Sequence, residues 1–338
     1  MWPLHFKPYD EELLCAWLIR LSRAYGVAPR RFCASVWHDP AFWCRDIDKG
    51  IYTDVLHVLA ERTATPPSRV LDTTLRGYLG YPPWELAHNR RPPWLLSIGL
   101  RGGRRQQPWL QYCPYCLRDD DDPYFRRHWR LAFVTVCPHH YCRLLAGCIA
   151  CGAPCNLHQV PSDAAAITCC HRCRFDVRRA QAPALNATIE HRRIAQFQTV
   201  LVEALHSGWY ALSPTQLVPT VQYLLVLQQL GRLLVTRSRA KELRHEFCQH
   251  VDVAYFEPSF PTARGRAIEV LSVADRFSLM LLLSRWLEDW PDQFVALGAR
   301  AKLTIADLRR DLLLTPDWYD EAVVQVAYGR YANREFAA

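Results

Sequence analysis

The chain has 338 residues, of which 50% are hydrophobic, and its formal net charge is +8. This length predicts two or three domains of ~100–200 residues, and the apolar fraction excludes long disorder. The N-terminus lacks a signal-peptide pattern, and no uncharged apolar run reaches the ~18 residues of a membrane span, so a soluble cytoplasmic protein with reduced thiols is expected.

Arginine supplies nearly all of the positive charge, because the chain contains only four lysines. Arginine makes planar, bidentate contacts with phosphate and guanine that lysine does not make, which favours a nucleic-acid partner. Genomic base composition also favours arginine codons in some organisms. The composition leaves both interpretations open.

Two short helices are predicted near the N-terminus. Asp10 is the predicted N-cap of the first, and apolar residues at helical spacing follow it as far as Gly26. Pro29 is the predicted start of the second. The pair fits either a helix-turn-helix or an ordinary helical hairpin. In a helix-turn-helix, four arginines would lie near a phosphate backbone: Arg20, Arg23, Arg30 and Arg31.

Residues 81–109 form a connector rich in proline and arginine. Interleaved arginines and aromatic rings are typical of a nucleic-acid groove, and Arg101, Arg104 and Arg105 are candidate contacts with nucleic acid or an acidic partner. The alternative is a solvated linker whose tryptophans, Trp94 and Trp109 among them, pack on the neighbouring module.

Residues 113–173 contain four pairs of soft ligands, each pair separated by two residues. Zinc takes four such ligands in a tetrahedron, so two pairs are needed for each ion, and four pairs predict two structural Zn²⁺ ions. The first predicted site comprises Cys113, Cys116, Cys137 and His140. The second comprises Cys148, Cys151, Cys170 and Cys173.

Several alternatives to this pairing remain. His139 and Cys169 are alternative ligands for their neighbours His140 and Cys170, and a cross-braced arrangement would pair the first turn with the third. A disulfide cluster or a catalytic zinc are further alternatives, although a catalytic site keeps one position open and these ligands fill all four. The remaining cysteines, Cys15, Cys33, Cys44 and Cys248, are expected to pack as small apolar side chains.

The segment between the first two ligand pairs begins with the acidic run Asp119–Asp122, which is predicted to be a solvated loop. Residues 124–136 then alternate aromatic residues with arginines and are expected to form the apolar body of the zinc module. Arg126 and Arg127 are further candidate contacts with nucleic acid or a partner.

From Asn186 onward the pattern predicts only helices, in seven segments: 188–206, 214–231, 239–250, 266–289, 291–300, 304–314 and 316–331. Pro214, Pro291 and Pro316 mark predicted helix starts. The sequence has no phosphate-loop, nucleophile-elbow or zinc-protease motif, so an enzyme is not expected.

The predicted fold is therefore mainly α and has three parts. Residues 1–110 form an N-terminal helical, helix-turn-helix-like domain with its connector. Residues 111–180 form a tandem zinc-finger module, and residues 181–338 form a C-terminal helical domain.

Two stretches resemble the TniQ family, which also contains TnsD proteins. The first runs from Pro8-Tyr-Asp-Glu-Glu-Leu-Leu to Trp17-Leu-Ile-Arg20-Leu. The second, more specific stretch contains Tyr112-Cys-Pro-Tyr-Cys-Leu117, Trp129-Arg-Leu131, Cys137-Pro-His-His140 and Cys148-Ile-Ala-Cys151-Gly152. The resemblance covers roughly residues 1–180 and implies the same eight zinc ligands.

The resemblance implies a non-catalytic adaptor that selects the target of transposition. Its partners would be the AAA+ ATPase TnsC and target DNA at the nucleoid. In some family members a further partner is a Cascade-type CRISPR complex with its guide RNA, and there the family protein can form a head-to-tail homodimer. A TnsD-like protein that reads an attachment site directly is the alternative. A zinc-dependent hydrolase or nuclease is a further one.

Overall fold

The computed structural model describes residues 1–79, 93–96, 100–101, 104–105, 109–185, 188–260 and 267–335. The side chains of residues 79, 100, 101, 104, 105 and 330–335 lie outside this description. Helices dominate the described residues and strands are short, which confirms the mainly α fold. In the described ranges, no helix combines the length and apolarity needed to cross a membrane.

The helices and strands are numbered in chain order. The helices are α1 Leu14–Ala24, α2 Pro29–Trp37, α3 Thr53–Thr63, α4 Pro67–Leu71, α5 Arg76–Leu79, α6 Pro114–Asp119, α7 Ile189–Ser207, α8 Thr220–Val235, α9 Ala240–His250, α10 Val273–Trp286, α11 Asp292–Arg300, α12 Ile305–Arg309 and α13 Asp317–Glu335. The strands are β1 Leu100–Arg101, β2 Arg104–Arg105, β3 Gln111–Tyr112, β4 Val136–Cys137, β5 Cys142–Arg143, β6 Leu145–Ala146, β7 Trp209–Ser213 and β8 Gln216–Pro219.

The chain divides into two compact units. The first comprises Met1–Gly80 with Leu96–Ala184, and the second comprises Tyr81–Leu95 with Leu185–Ala338. The predicted boundary near residue 110 lies inside the first unit. The N-terminal helices and the cysteine-rich module therefore share one body.

Helix α1 lies in the core of the first unit, and its residues from Leu14 to Ser22 are all buried. The prediction that Asp10 caps this helix is wrong. The chain is left-handed at Glu11, with φ of 59°, and the helix begins only at Leu14. The two acidic residues after Asp10 bind arginines instead of the helix N-terminus: Glu11 binds Arg127, and Glu12 binds Arg20.

Helix α2 follows α1 after a turn at Gly26, where φ is 64°. Pro29 is its first residue, as predicted, because a proline at this position loses no helical hydrogen bond. Phe32 and Cys33 face the core, whereas Arg30 and Arg31 are exposed. The helix packs on the 3₁₀ turn Leu157–Gln159 of the cysteine-rich module.

Short antiparallel strand pairs frame the cysteine-rich module. Strand β3 pairs with β6, and β4 pairs with β5 with Cys137 opposite Cys142. Gln111, which is fully buried, donates hydrogen bonds through Nε2 to the carbonyls of Trp129, Leu131 and Val134 at 3.0–3.3 Å. These three carbonyl groups accept no hydrogen bond from a neighbouring strand, so the bonds from Gln111 provide them with a partner. The segment that contains them can therefore be buried although it has little regular secondary structure.

Buried arginines join the module to the N-terminal segment. Arg130 is fully buried and binds Asp46 and Asp48, both at 2.8 Å. Its guanidinium also lies 4.8 Å from the ring centroid of Trp109, and its Nη2 donates to the carbonyl of Leu96 at 2.9 Å. Trp109 is buried, so the aromatic end of the connector packs on the module.

The acidic run Asp119–Asp122 is not simply a solvated loop. Asp122 accepts a hydrogen bond from Arg20 at 2.9 Å, and Asp120 accepts one from Arg126 at 2.7 Å. Asp119 lies 2.9 Å from Nε2 of His140. The run therefore supplies counter-charges to three different elements of the unit.

The second unit contains helices α7 to α13, but it is not wholly helical. Strands β7 and β8 form a hairpin, with Tyr210 opposite Val218 and Ser213 opposite Gln216. The predicted helix start at Pro214 is therefore wrong, because Pro214 lies in the hairpin turn and α8 begins at Thr220. The rings of Tyr210 and Tyr223, 3.7 Å apart, attach the hairpin to α8.

We expect Arg130→Met to lower the free energy of unfolding of the first unit by about 3–5 kcal/mol, because Asp46 and Asp48 would lose the cation that compensates for their burial. The matched control is Arg69→Met, which removes an ion pair to Asp10, a side chain that is 89% exposed. An exposed pair contributes about 0–1 kcal/mol. Urea unfolding followed by tryptophan fluorescence measures both variants, and equal effects would contradict a structural role for the buried pair.

Candidate metal centres

The first cluster is assembled from two chain turns within the first unit. Cys113 caps helix α6, and its Sγ accepts a hydrogen bond from the backbone N–H of Cys116 at 3.4 Å. Cys137 ends β4, and His140 lies in the turn that leads to β5. That turn closes through Tyr141, which adopts a left-handed backbone with φ of 44°.

The four side chains of this cluster converge on one point, with all ligand atoms within 4.8 Å of one another. The Sγ atoms of Cys116 and Cys137 are 3.5 Å apart. The Nδ1 atom of His140 lies 3.3–3.5 Å from the sulfurs of all three cysteines. A tetrahedral zinc site with ordinary bond lengths requires about 3.8 Å between sulfurs and about 3.6 Å between sulfur and nitrogen, so the spacing fits such an ion.

The second cluster contains Cys148, Cys151, Cys170 and Cys173, whose sulfurs also lie within 4.8 Å of one another. Two turns of the same shape supply them. In each turn a residue with a left-handed backbone lies four positions after the first cysteine, and its N–H donates to the carbonyl of that cysteine at 2.8–2.9 Å. These residues are Gly152 and Arg174.

Sulfur distances in the second cluster also match a tetrahedron, with 3.6 Å from Cys148 to Cys173 and 3.7 Å from Cys151 to Cys170. The backbone N–H of Phe175 lowers the pKa of the Cys173 thiol to about 7. A thiol with this pKa is readily deprotonated at neutral pH, which is the form that binds metal.

The structure shows which of the alternative ligand residues converge in the two clusters. His139 is exposed, whereas His140 points its Nδ1 at the three sulfurs. Cys169 packs on Val160 and Ala164 outside the second cluster, whereas Cys170 is one of its four members. The first ligand pair joins the second pair and not the third, so the arrangement is sequential and not cross-braced.

Both clusters present four protein donors, so a tetrahedral ion in either would have no open position for a substrate water. The Nε2 atom of His140 lies 2.9 Å from Asp119, and this hydrogen bond lowers the pKa of the Asp119 carboxyl. A carboxylate on the second nitrogen of a metal-binding histidine fixes the tautomer that leaves Nδ1 free to bind. The sequence did not identify this role of Asp119.

The candidate arginines fall into three groups. Arg126 and Arg127 are engaged inside the unit, with side chains 13% and 6% exposed. Arg127 binds Glu11 and donates to the carbonyl of Thr74 at 3.1 Å, so both arginines stabilise the fold and are not available as a binding surface.

Burial raises the pKa of Glu11, but hydrogen bonds from His128 and the charge of Arg127 outweigh it and hold that pKa well below its usual range.

Arg30 and Arg31 are exposed on α2, in agreement with a role at a surface. Strand β1 pairs with β2, placing Arg101 opposite Arg104, but the side chains of Arg101, Arg104 and Arg105 lie outside the described residues. The other two predicted arginines, Arg20 and Arg23, bind within the unit: Arg20 binds Glu12, and Arg23 donates to the carbonyl of Ala164.

One of the four scattered cysteines departs from the sequence prediction, and a further cysteine lies beside the first cluster. Cys44, predicted to pack in the core, is exposed, whereas Cys15, Cys33 and Cys248 are buried as expected. Cys142 is buried beside the first cluster, and its Sγ lies 3.6 Å from that of Cys113. Its position two residues after His140 was the signal in the sequence that pointed to this site.

We expect Cys113→Ser to reduce the metal content from two ions per chain to one and to destabilise the segment around the first cluster, because four donors bound to one ion substitute there for a large apolar core. The control is Cys44→Ser, which alters an exposed thiol outside both clusters. Elemental analysis and a circular dichroism melt measure both effects. A Cys113→Ser protein with two ions and an unchanged melt would refute this assignment.

Comparison with known proteins agrees with this architecture. Residues 3–144 match the family model described as TniQ, a range that spans the N-terminal helices and the whole first cluster. The second cluster, from Cys148 to Cys173, lies beyond the matched range. No curated protein matches the chain. Residues 3–144 thus match a TniQ domain, and this domain supports a protein that is associated with transposition.

Proposed function

We propose that this chain is a non-catalytic target-selection adaptor of transposition that links a targeting complex on DNA to the AAA+ regulator TnsC. The TniQ domain over residues 3–144 is the observation that carries this proposal. We also propose that the chain is cytoplasmic and that it associates with the nucleoid when it is bound to target DNA.

The construction of the first unit supports a role in holding surfaces at fixed positions. Its N-terminal segment is joined to the cysteine-rich module by ion pairs whose arginines, Arg127 and Arg130, have side chains at most 6% exposed. Buried pairs of this kind permit little relative movement, since separating them leaves charges without partners. A partner bound to one face of the unit would therefore be held at a set distance from a partner bound to another.

Zinc is the proposed occupant of both clusters. Three thiolates with one imidazole, and four thiolates, are the donor sets that structural zinc sites use. Because the protein fills all four positions of each cluster, the ions would organise the fold, and nucleotide hydrolysis would belong to the AAA+ partner. The same closed coordination disfavours a zinc-dependent hydrolase or nuclease.

A direct reader of an attachment site, like TnsD, remains the second candidate, and the exposed Arg30 and Arg31 on the second helix of a helical pair favour it. The two functions differ in what the chain binds by itself. A direct reader prefers its site over random DNA by 10³-fold or more, whereas an adaptor binds DNA weakly and without sequence preference.

The adaptor function is tested by reconstitution with the AAA+ regulator of the same transposon, ATP and duplex DNA. We expect the full chain to associate with the DNA-bound regulator, and to associate with the targeting complex in a separate pull-down. A Cascade-type complex with its guide RNA is the proposed targeting complex. Tight, salt-resistant binding of the chain alone to one DNA sequence, without binding to the regulator, would overturn the adaptor function in favour of direct reading.

We expect Arg30→Glu with Arg31→Glu to reduce the affinity for duplex DNA without lowering thermal stability, because both side chains are exposed. If each arginine contacts one phosphate, the slope of log affinity against log salt should fall in magnitude by about two. Arg300→Glu with Arg310→Glu, a change to two exposed arginines of the second unit, is the charge-matched control. Fluorescence anisotropy at several salt concentrations measures the slope, and an unchanged slope would exclude this surface. Arg104→Glu with Arg105→Glu tests the connector in the same way.

A further inference from the structure

The first cluster has a fifth sulfur beside its four donors. Cys142 is 1% exposed, and its Sγ lies 3.6 Å from the Sγ of Cys113. Cys142 begins strand β5, where it is paired directly with Cys137 on β4. It therefore lies next to two of the three cysteines of the cluster, on the side where the strands meet.

The distance from Cys142 to Cys113 resembles a distance between ligands of one ion. Within the two clusters, paired sulfurs are separated by 3.5–3.7 Å. The four donors of the first cluster have ligand atoms that all lie within 4.8 Å of one another, and Cys142 does not belong to this group. Cys142 therefore lies at the edge of the site.

The four primary donors are unequal. The three cysteines are buried, whereas His140 is partly accessible, with a side chain that is 26% exposed. Its outer nitrogen is held by Asp119, whose side chain is 53% exposed. Water therefore reaches His140 more easily than the cysteines, and His140 is the donor most accessible to a competing ligand.

We propose that Cys142 is a reserve metal ligand of the first cluster, which binds the ion as a thiolate when His140 is absent or displaced. On this exchange the bond to Nδ1 of His140 breaks, the Cys142 thiol gives its proton to solvent, and its sulfur forms the new bond. No oxidant or reductant is needed. The site would change from three sulfurs and one nitrogen to four sulfurs, which is also a zinc donor set.

Contacts around the second cluster differ. Cys169, which adjoins the ligand Cys170 in sequence, packs in an apolar group with Val160 and Ala164. The proposal concerns Cys142 and the first cluster. It is independent of the adaptor function, since it concerns only how this chain retains its metal.

The test compares four full-length proteins: the wild type, His140→Ala, Cys142→Ala, and the double variant. Each is purified with zinc, and its metal content is measured after gel filtration. We expect two ions per chain in the wild type and in both single variants, and loss of one ion in the double variant. Equal loss of one ion in His140→Ala and in the double variant would overturn the proposal.

Cobalt substitution identifies the replacing donor. Charge-transfer absorption from thiolate to Co²⁺ rises with the number of bound thiolates, so His140→Ala should gain one thiolate per chain relative to the wild type. If the charge-transfer absorption of His140→Ala showed no additional thiolate, as expected when water occupies the position of the histidine, the proposal would also be overturned. The matched control is His140→Ala with Cys248→Ala, which removes a buried cysteine of the second unit and should retain both ions.

Discussion

The convergence of four donors at each of two points is the constraint on which the first unit depends. Between Cys113 and Cys173 the chain forms only a single short α-helix, 3₁₀ turns and two-residue strands. Such a segment cannot bury enough apolar surface to order itself, and metal binding supplies the missing free energy in modules of this kind. Three of the four ligand turns close through left-handed residues, Tyr141, Gly152 and Arg174, four positions after a cysteine. The backbone geometry is therefore set by the need to bring two donors to one point.

The arginines between the ligand turns depend on the same constraint. Arg126, Arg127 and Arg130 lie between Cys116 and Cys137, so fixing those two cysteines also fixes the position of the arginine-bearing segment. Arg127 and Arg130 then bind acidic residues of the N-terminal segment in buried pairs, with Glu11 and Asp48 among their partners. An ion held by the first cluster would thus stabilise the same body that these ion pairs join.

The sequence predicted the features that are encoded by local spacing. Ligand pairs two residues apart identified both clusters, and Pro29 identified the start of α2 because proline stabilises a helix at that position only. Features that depend on distant partners were not predictable. Asp10 followed by two glutamates is a good helix start, yet Glu11 and Glu12 bind arginines remote in sequence. Arg126 and Arg127 have the composition of a nucleic-acid surface, but burial assigns them to the fold. The hairpin Trp209–Pro219 escaped prediction because its apolar residues also fit a helical pattern.

Native mass spectrometry of the full chain tests the central claim most directly, because it counts the ions on a folded protein. We predict one dominant species that carries two zinc ions, and loss of compact charge states when a chelator removes both ions. A folded chain without bound metal, with the clustered cysteines oxidised to disulfides, would contradict the account.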